Sequence, residues 1–260
     1  MRYAVVTGAS SGIGADIARE LSARGFGLVL VARREERLKE LATELGGNTK
    51  IFAADLSKPE CCNALDKFME NLDIGVFVNN AGFGDCGPFV DTDIQKEMQM
   101  IQVNVVALHL LSKIAIRHLQ KSGAAMGKHH KSFLLNVGSS AGLLPAGPYM
   151  ATYYATKAYV VSLSQAIAVE LQEAGSNVSV SVLCPGPVNT EFNDVANVSF
   201  SLPGISSKAC ARYAVRQMLK GKTVIVPGLL MKAAGIFSRV LPRHLCAKIT
   251  GRQQKKKLGK

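Results

Sequence analysis

Between positions 139 and 157 the chain reads SSAGLLPAGPYMATYYATK: two serines, two adjacent tyrosines and a lysine just beyond them. Together these side chains can move a proton at a reacting oxygen. A tyrosine ionises near pH ~10 and is a poor base at neutrality, but a neighbouring ammonium favours the phenolate. A serine hydroxyl beside them serves as an electrostatic donor to the oxygen rather than as a nucleophile. Tyr153 stands four residues before Lys157 and Tyr154 three. Both spacings share one helix face, so geometry leaves both tyrosines open.

A second stretch, VVTGASSGIG, bears on binding. It places Gly8, Gly12 and Gly14 between a short apolar run and a helical pattern. Glycines let backbone N–H groups approach a pyrophosphate, and a helix N-terminus favours its negative charge. Any tight strand-to-helix turn uses glycines too. Here a strand precedes, a helix follows and the next strand arrives on schedule, which favours nucleotide binding.

Such groups need a frame. Short apolar runs at 3–7, 28–32, 50–53, 74–78, 133–137, 178–183 and 223–226 alternate with amphipathic segments such as IGADIARELSARGF and RLKELATELGG. Strands buried on both faces and joined by helices predict an α/β fold. The expected form is a Rossmann-like, doubly wound parallel sheet of about seven strands, with helices on both faces. No repeat or linker divides it. Residues 1–228 read as one catalytic domain and residues 229–260 as a basic amphipathic extension.

At 260 residues and 48% hydrophobic, the chain can bury one large core. Its first residues, MRYAVVTG, lack the apolar core and cleavage site of a secretory leader. No uninterrupted apolar stretch reaches the ~18–20 residues of a bilayer span, so a cytoplasmic protein is expected. The six cysteines, at 61, 62, 86, 184, 210 and 246, make no CxxC pair, which predicts reduced thiols. His129 and His130 fall in the polar run GKHHKS, and no metal site is expected. The net charge of +12 is uneven: no acid follows Asp194, whereas 14 lysines and arginines do. Up to that point 17 basic residues face 19 acidic ones. The excess is a local feature, and without a reader motif no nucleic-acid binding is expected.

The motifs taken together carry a resemblance. TGASSGIG at 7–14, NNAG at 79–82, NVVA at 104–107, YYATK at 153–157 and PGPVNT at 185–190 follow one another in order. This set resembles the short-chain dehydrogenase/reductase family, compact single-domain branch, over roughly the first 230 residues. The resemblance implies hydride transfer between a nicotinamide and a ketone, aldehyde or secondary alcohol, with the protein placing the proton. The family's YxxxK pattern selects Tyr153 as general acid/base and Lys157 as its partner, which also holds the nicotinamide ribose. Counting from the strand end in NVGS puts the functional serine at Ser139, while counting back from Tyr153 lands on Ser140. Strand register is more rigid than loop length, so Ser139 is preferred and Ser140 stays an alternative. Asn104, inside MQMIQVNVVALHLLSKIAI, would by resemblance support a water in the proton relay. A satisfied buried amide explains it as well.

On the cofactor side the resemblance implies contacts from Gly8, Ser10, Ser11, Gly12, Ile13 and Gly14, and from Asp55 and Leu56 near the adenine. Asn79, Ala81 and Gly82 would pass along the cofactor, joined by Asn104, Tyr153 and Lys157. Pro185, Gly186, Val188 and Thr190 would lie at the nicotinamide end. Asp55 serves equally as a carboxylate ahead of the helix that begins near Pro59. In VLVARREE, Arg33 stands 19 residues past Gly14, where an acid would otherwise accept from the ribose 2′-hydroxyl, and Arg34 follows it. A guanidinium suits a 2′-phosphate, so NADP (NADPH) is expected over NAD. Arginines that merely solvate the next helix are the plain alternative.

FNDVANVSFSLPGISS, residues 192–207, is irregular and apolar in patches and can order over a substrate. Tyr149 and Met150 are expected to line an apolar pocket. In the extension, Leu229, Leu230, Ala233, Ile236, Phe237, Val240 and Leu241 recur at helical spacing among Lys232, Arg239 and Arg243. Pro242 should break or kink that helix, and KKKLGK should be a solvated end. The pattern admits peripheral membrane contact, a cap on the pocket or packing against another subunit. The leading reading is an NADP-dependent oxidoreductase acting on a small-molecule carbonyl or alcohol, lipophilic in character. Family resemblance adds a homodimer or homotetramer. A nucleotide-sugar epimerase or dehydratase, and a cofactor-sensing or membrane-surface binding module, are the alternatives.

Overall fold

Runs of Val, Leu and Ile without polar alternation need cover on both faces, and the amphipathic segments between them supply it. A computed structural model of the chain describes residues 1–126, 131–196 and 204–257. His129, His130 and residues 197–203 of the expected substrate segment lie outside them. The strands are β1 (Tyr3–Thr7), β2 (Gly27–Ala32), β3 (Thr49–Ala53), β4 (Ile74–Asn79), β5 (Ser132–Val137), β6 (Val178–Leu183), β7 (Val188–Asn189), β8 (Ile205–Ser206) and β9 (Val224–Ile225). Seven of them form a parallel sheet in the order β3-β2-β1-β4-β5-β6-β9. All seven strands expected from the sequence are in it. The short β7–β8 pair was not expected.

The helices are α1 (Gly12–Ser22), α2 (Glu35–Leu45), α3 (Pro59–Met69), α4 (Ile94–Ile101), α5 (Leu108–Met126), α6 (Ala151–Glu173), α7 (Phe192–Val195), α8 (Ser207–Leu219), α9 (Leu229–Val240) and α10 (Arg243–Lys257). Alternate side chains of each strand point to opposite faces. Ala4 and Val6 of β1 join Ile17, Leu38 and Val215 in the layer under α1, α2 and α8. Val5 joins Leu65, Leu111 and Ile114 in the layer under α3 and α5. The strand order reverses between β1 and β4, which opens a crevice at the carboxyl ends of these strands.

The sequence predicts a single regular helix around Asn104, whereas the chain makes a π-helical turn at Gln102–Ala107 between α4 and α5. The whole run, Ile94–Ser122, is long and apolar enough to cross a membrane by length and composition. Its apolar face, with Leu111, Ile114 and Leu119 buried, is instead spent on the sheet.

Pro242 divides the C-terminal extension into α9 and α10, and α10 carries helix through to Lys257, past the start of the expected solvated end. Cys246, Thr250, Gly251 and Gln254 form its buried side. Gly251 brings α10 close to the loop before α6: a Cβ there would stand 3.2 Å from the Pro148 ring. The Ser238 hydroxyl of α9 donates to the Leu143 carbonyl at 3.3 Å. The extension therefore packs on the loop between β5 and α6.

Candidate active site

Thr7 ends β1 and ties its tip to that of β4. Its hydroxyl donates to the Val78 carbonyl and accepts from the N–H groups of Asn80 and Ala81 at 2.9 and 3.0 Å. Beyond it the chain turns through Gly8 and Gly12, both at positive φ, +64° and +54°. A Cβ on Gly8 would stand 2.7 Å from the Asn80 amide, and one on Gly12 would press on Thr190 at 3.1 Å. A Cβ on Gly14 would strike the Gly8 carbonyl, so this glycine serves the close packing of turn on helix. The bare backbone thus lies between two walls, 80–82 and 185–190, at the N-terminus of α1. This cradle fits the pyrophosphate of a dinucleotide.

Ser10, Ser11, Ile13, Asp55, Leu56, Ala81, Gly82, Pro185, Gly186, Val188 and Thr190 all line the crevice, as do Arg33 and Arg34. Asn79 does not. It is the last residue of β4, and strand alternation turns its amide into the sheet, where it donates to Ser112 and to Asn136. Asn80 takes its place at the crevice wall and donates to the carbonyls of Thr7 and Gly8. Arg34 reaches over the glycine turn, donating to the hydroxyls of Ser10 and Ser11 at 3.1 and 2.9 Å, and pairs with Glu191 at 2.9 Å. Arg33 is exposed at the rim. Burial opposes ionisation of Asp55, but the N–H and hydroxyl of Ser57 donate to it and hold its carboxyl below its usual range.

Ser139, Tyr153 and Lys157 come together at the end of β5 and the start of α6. Ser139 follows β5 in extended conformation, and its hydroxyl caps a short 3₁₀ turn by accepting from the Ala141 N–H at 3.1 Å. The same hydroxyl is hydrogen-bonded to the Tyr153 phenol. Ser140 donates its backbone N–H to Pro185 at 2.8 Å. Lys157 sits one turn after Tyr153 on α6, buried, donating to the Val137 carbonyl at 2.9 Å. Its ammonium is 5.8 Å from the Tyr153 ring centre.

The electrostatics differ from the sequence expectation. Burial pushes the Tyr153 phenol up to about 12, with the Ser139 hydrogen bond working the other way. Burial likewise brings Lys157 down to about 8. With the ammonium turned to Val137, desolvation outweighs the expected pull of lysine on the phenol.

Asn104 is fully engaged. Its carbonyl oxygen accepts from the Phe83 N–H at 3.1 Å, while its NH₂ donates to the Phe83 carbonyl and the Thr156 hydroxyl. It clamps the segment after NNAG against the π turn, a helix irregularity that often marks functional sites.

A cavity of about 1350 Å³ runs from the glycine turn past the trio. Leu143, Leu144, Met150, Phe192 and Met231 give its far end an apolar character. The Phe192 ring packs 5.5 Å from that of Tyr153. Tyr149 does not join this wall; at φ +67° it turns to a small hollow beneath α10. Tyr154 lines the cavity beside Tyr153 and accepts a hydrogen bond from the Gln254 amide at 2.6 Å. Phe192 opens the segment expected to order over a substrate, whereas sequence reasoning missed Asn80, Glu191, Met231 and Gln254. Met231 and Gln254 come from the extension and carry no motif; Asn80 was within reach by counting strand alternation through NNAG.

Comparison with known proteins agrees with this geometry. The sequence model of the short chain dehydrogenase family matches residues 2–198. The very-long-chain 3-oxoacyl-CoA reductase of Neurospora crassa is 32% identical over 210 residues, which are 77% of this chain but 60% of that protein's length. A short-chain dehydrogenase from Sphingobium yanoikuyae in complex with NADPH is 30% identical, with a TM-score of 0.79 over 94% of this chain and 97% of that one. The bulky-bulky ketone specific alcohol dehydrogenase from Comamonas testosteroni is 27% identical, with a TM-score of 0.74 over 94% and 96%. Motifs, strand order, crevice and relatives agree, and the chain belongs to the short-chain dehydrogenase/reductase family of oxidoreductases.

Proposed function

We propose that this chain is an NADPH-dependent reductase of lipophilic ketones, with Tyr153 as the proton donor. One observation carries the reading: Ser139, Tyr153 and Lys157 converge in a cavity that runs from the glycine cradle to an apolar end. Bound NADPH supplies the hydride to the carbonyl carbon. The Ser139 hydroxyl donates to the carbonyl oxygen and polarises it. A phenol held at about 12 is protonated at neutral pH and gives its proton to the forming alkoxide, a stronger base than phenolate. The Lys157 ammonium, one turn away, stabilises the phenolate left behind.

Arg34, held over Ser10 and Ser11, and Arg33 at the rim would receive the 2′-phosphate; a similar solved structure holds NADPH. Leu143, Leu144, Phe192 and Met231 suit an acyl chain or fused rings, and 3-oxoacyl thioesters are one such class, in keeping with the names of the relatives. A homodimer is part of the reading, with Val106, Tyr159 and Val169 exposed along α6 and the π turn as its contact. A panel of aldehydes and ketones of graded apolar size, monitored by NADPH absorbance, tests it. Consumption that rises with apolar size supports the proposal; none with any carbonyl rejects it.

A further inference from the structure

We propose that the exposed residues of the C-terminal helices α9 and α10 bind the surface of an anionic lipid bilayer. Phe237, Leu241, Leu245 and Ile249 recur every four residues and, with Val240, are exposed, Phe237 by 66% and Val240 by 80%. Exposed apolar side chains thus stand on both helices, on either side of the break at Pro242. Arg243, Lys248, Arg252 and Lys255, all exposed, flank those of α10. No acid occurs anywhere after Asp194. Exposed apolar side chains set among lysines and arginines, with no carboxylate, are the pattern of a helix lying in the headgroup boundary.

Charge selects this occupant over others. A second copy seated on the same residues would bring two acid-free surfaces together. A nucleic acid would find one aromatic side chain, Phe237, on which to stack. A second exposed apolar group, Phe89, Val90, Ile94 and Met98, lies among Asp91, Asp93 and Glu97, and the lysine within it, Lys96, is paired with Asp85 at 2.6 Å. Met231 and Gly235 of α9 and Gln254 of α10 line the cavity. The helices that meet the bilayer would therefore also line the substrate pocket.

The test is flotation of the full chain with phosphatidylcholine vesicles, with and without phosphatidylglycerol. Binding needs no turnover, so it is read independently of the carbonyl panel. Each lysine or arginine near an anionic surface contributes about fivefold, so the anionic vesicles should bind at least about tenfold more protein. Added salt should reduce that excess. Phe237→Glu with Leu245→Glu should abolish flotation at an unchanged melting temperature. If that pair unfolds, Val240→Ser with Ile249→Ser should still weaken binding severalfold. Equal binding to both vesicles, or flotation indifferent to both variant pairs, overturns the proposal. So does a lipid-free dimer that the variants convert to monomer, since a second copy would then cover these residues.

Discussion

Replacing Tyr154 by phenylalanine removes one oxygen and tests whether the extension is held by α6. The Tyr154 hydroxyl and the Gln254 amide are both buried, and their hydrogen bond spans 100 residues of sequence. The other end of that amide, Oε1, is buried with no partner among the described residues, so loss of the bond would leave the side chain unsatisfied among them. Leaving a buried polar group unpaired costs about 1–3 kcal/mol. Charged against the docking of α10, that raises the fraction of undocked helix by about 5- to 150-fold. Hydrogen exchange in the last turns of α10 should speed up by this factor, as should tryptic cleavage at Arg252 and Lys255. Amides of β1 and β4 should keep their protection. Unchanged exchange in α10, or an equal rise throughout the sheet, would refute the idea that this bond specifically latches the extension.

Arg33→Asp places a carboxylate at the crevice rim and should shift affinity from NADPH towards NADH; an unchanged ratio by fluorescence titration speaks against a 2′-phosphate reader. Ser139→Ala should lower turnover far more than Ser140→Ala at equal melting temperature, because Ser139 bears the hydroxyl on Tyr153 while Ser140 offers Pro185 its backbone N–H. Folding lowers Lys157 from 10.5 to about 8, so the unfolded chain binds more protons between those values. The stability of the parent chain relative to Lys157→Met should therefore rise as pH goes from about 8 towards 10, and denaturant titration that shows it flat or falling contradicts a desolvated lysine.

The frame was legible because local pattern suffices for it. Buried strands at 3–7 and 178–183 read as apolar runs, and the glycine turn declares its positive-φ positions by residue type. The serine doublet was open to counting from either side, and the rigid end of β5 places Ser139 at Tyr153. Failures came where tertiary context decides. Asn79 and Asn80 differ only in strand alternation, and the π turn at Asn104 depends on a clamp to Phe83, 21 residues away. The raised Tyr153 and lowered Lys157 follow from burial, which the spacing of YYATK does not express. Gln254 lies far from every motif, and its contact with Tyr154 belongs to the fold of the extension.

Tyr153→Phe, assayed for ketone-dependent NADPH oxidation alongside NADPH binding, tests the central claim most directly. The phenol is buried against Ser139 and packed on Phe192, so its loss leaves the ring contacts in place. Removal of the proton donor should lower turnover by about 10²–10⁴-fold while NADPH binds as before. Turnover close to that of the parent chain, at equal cofactor binding, would contradict the account.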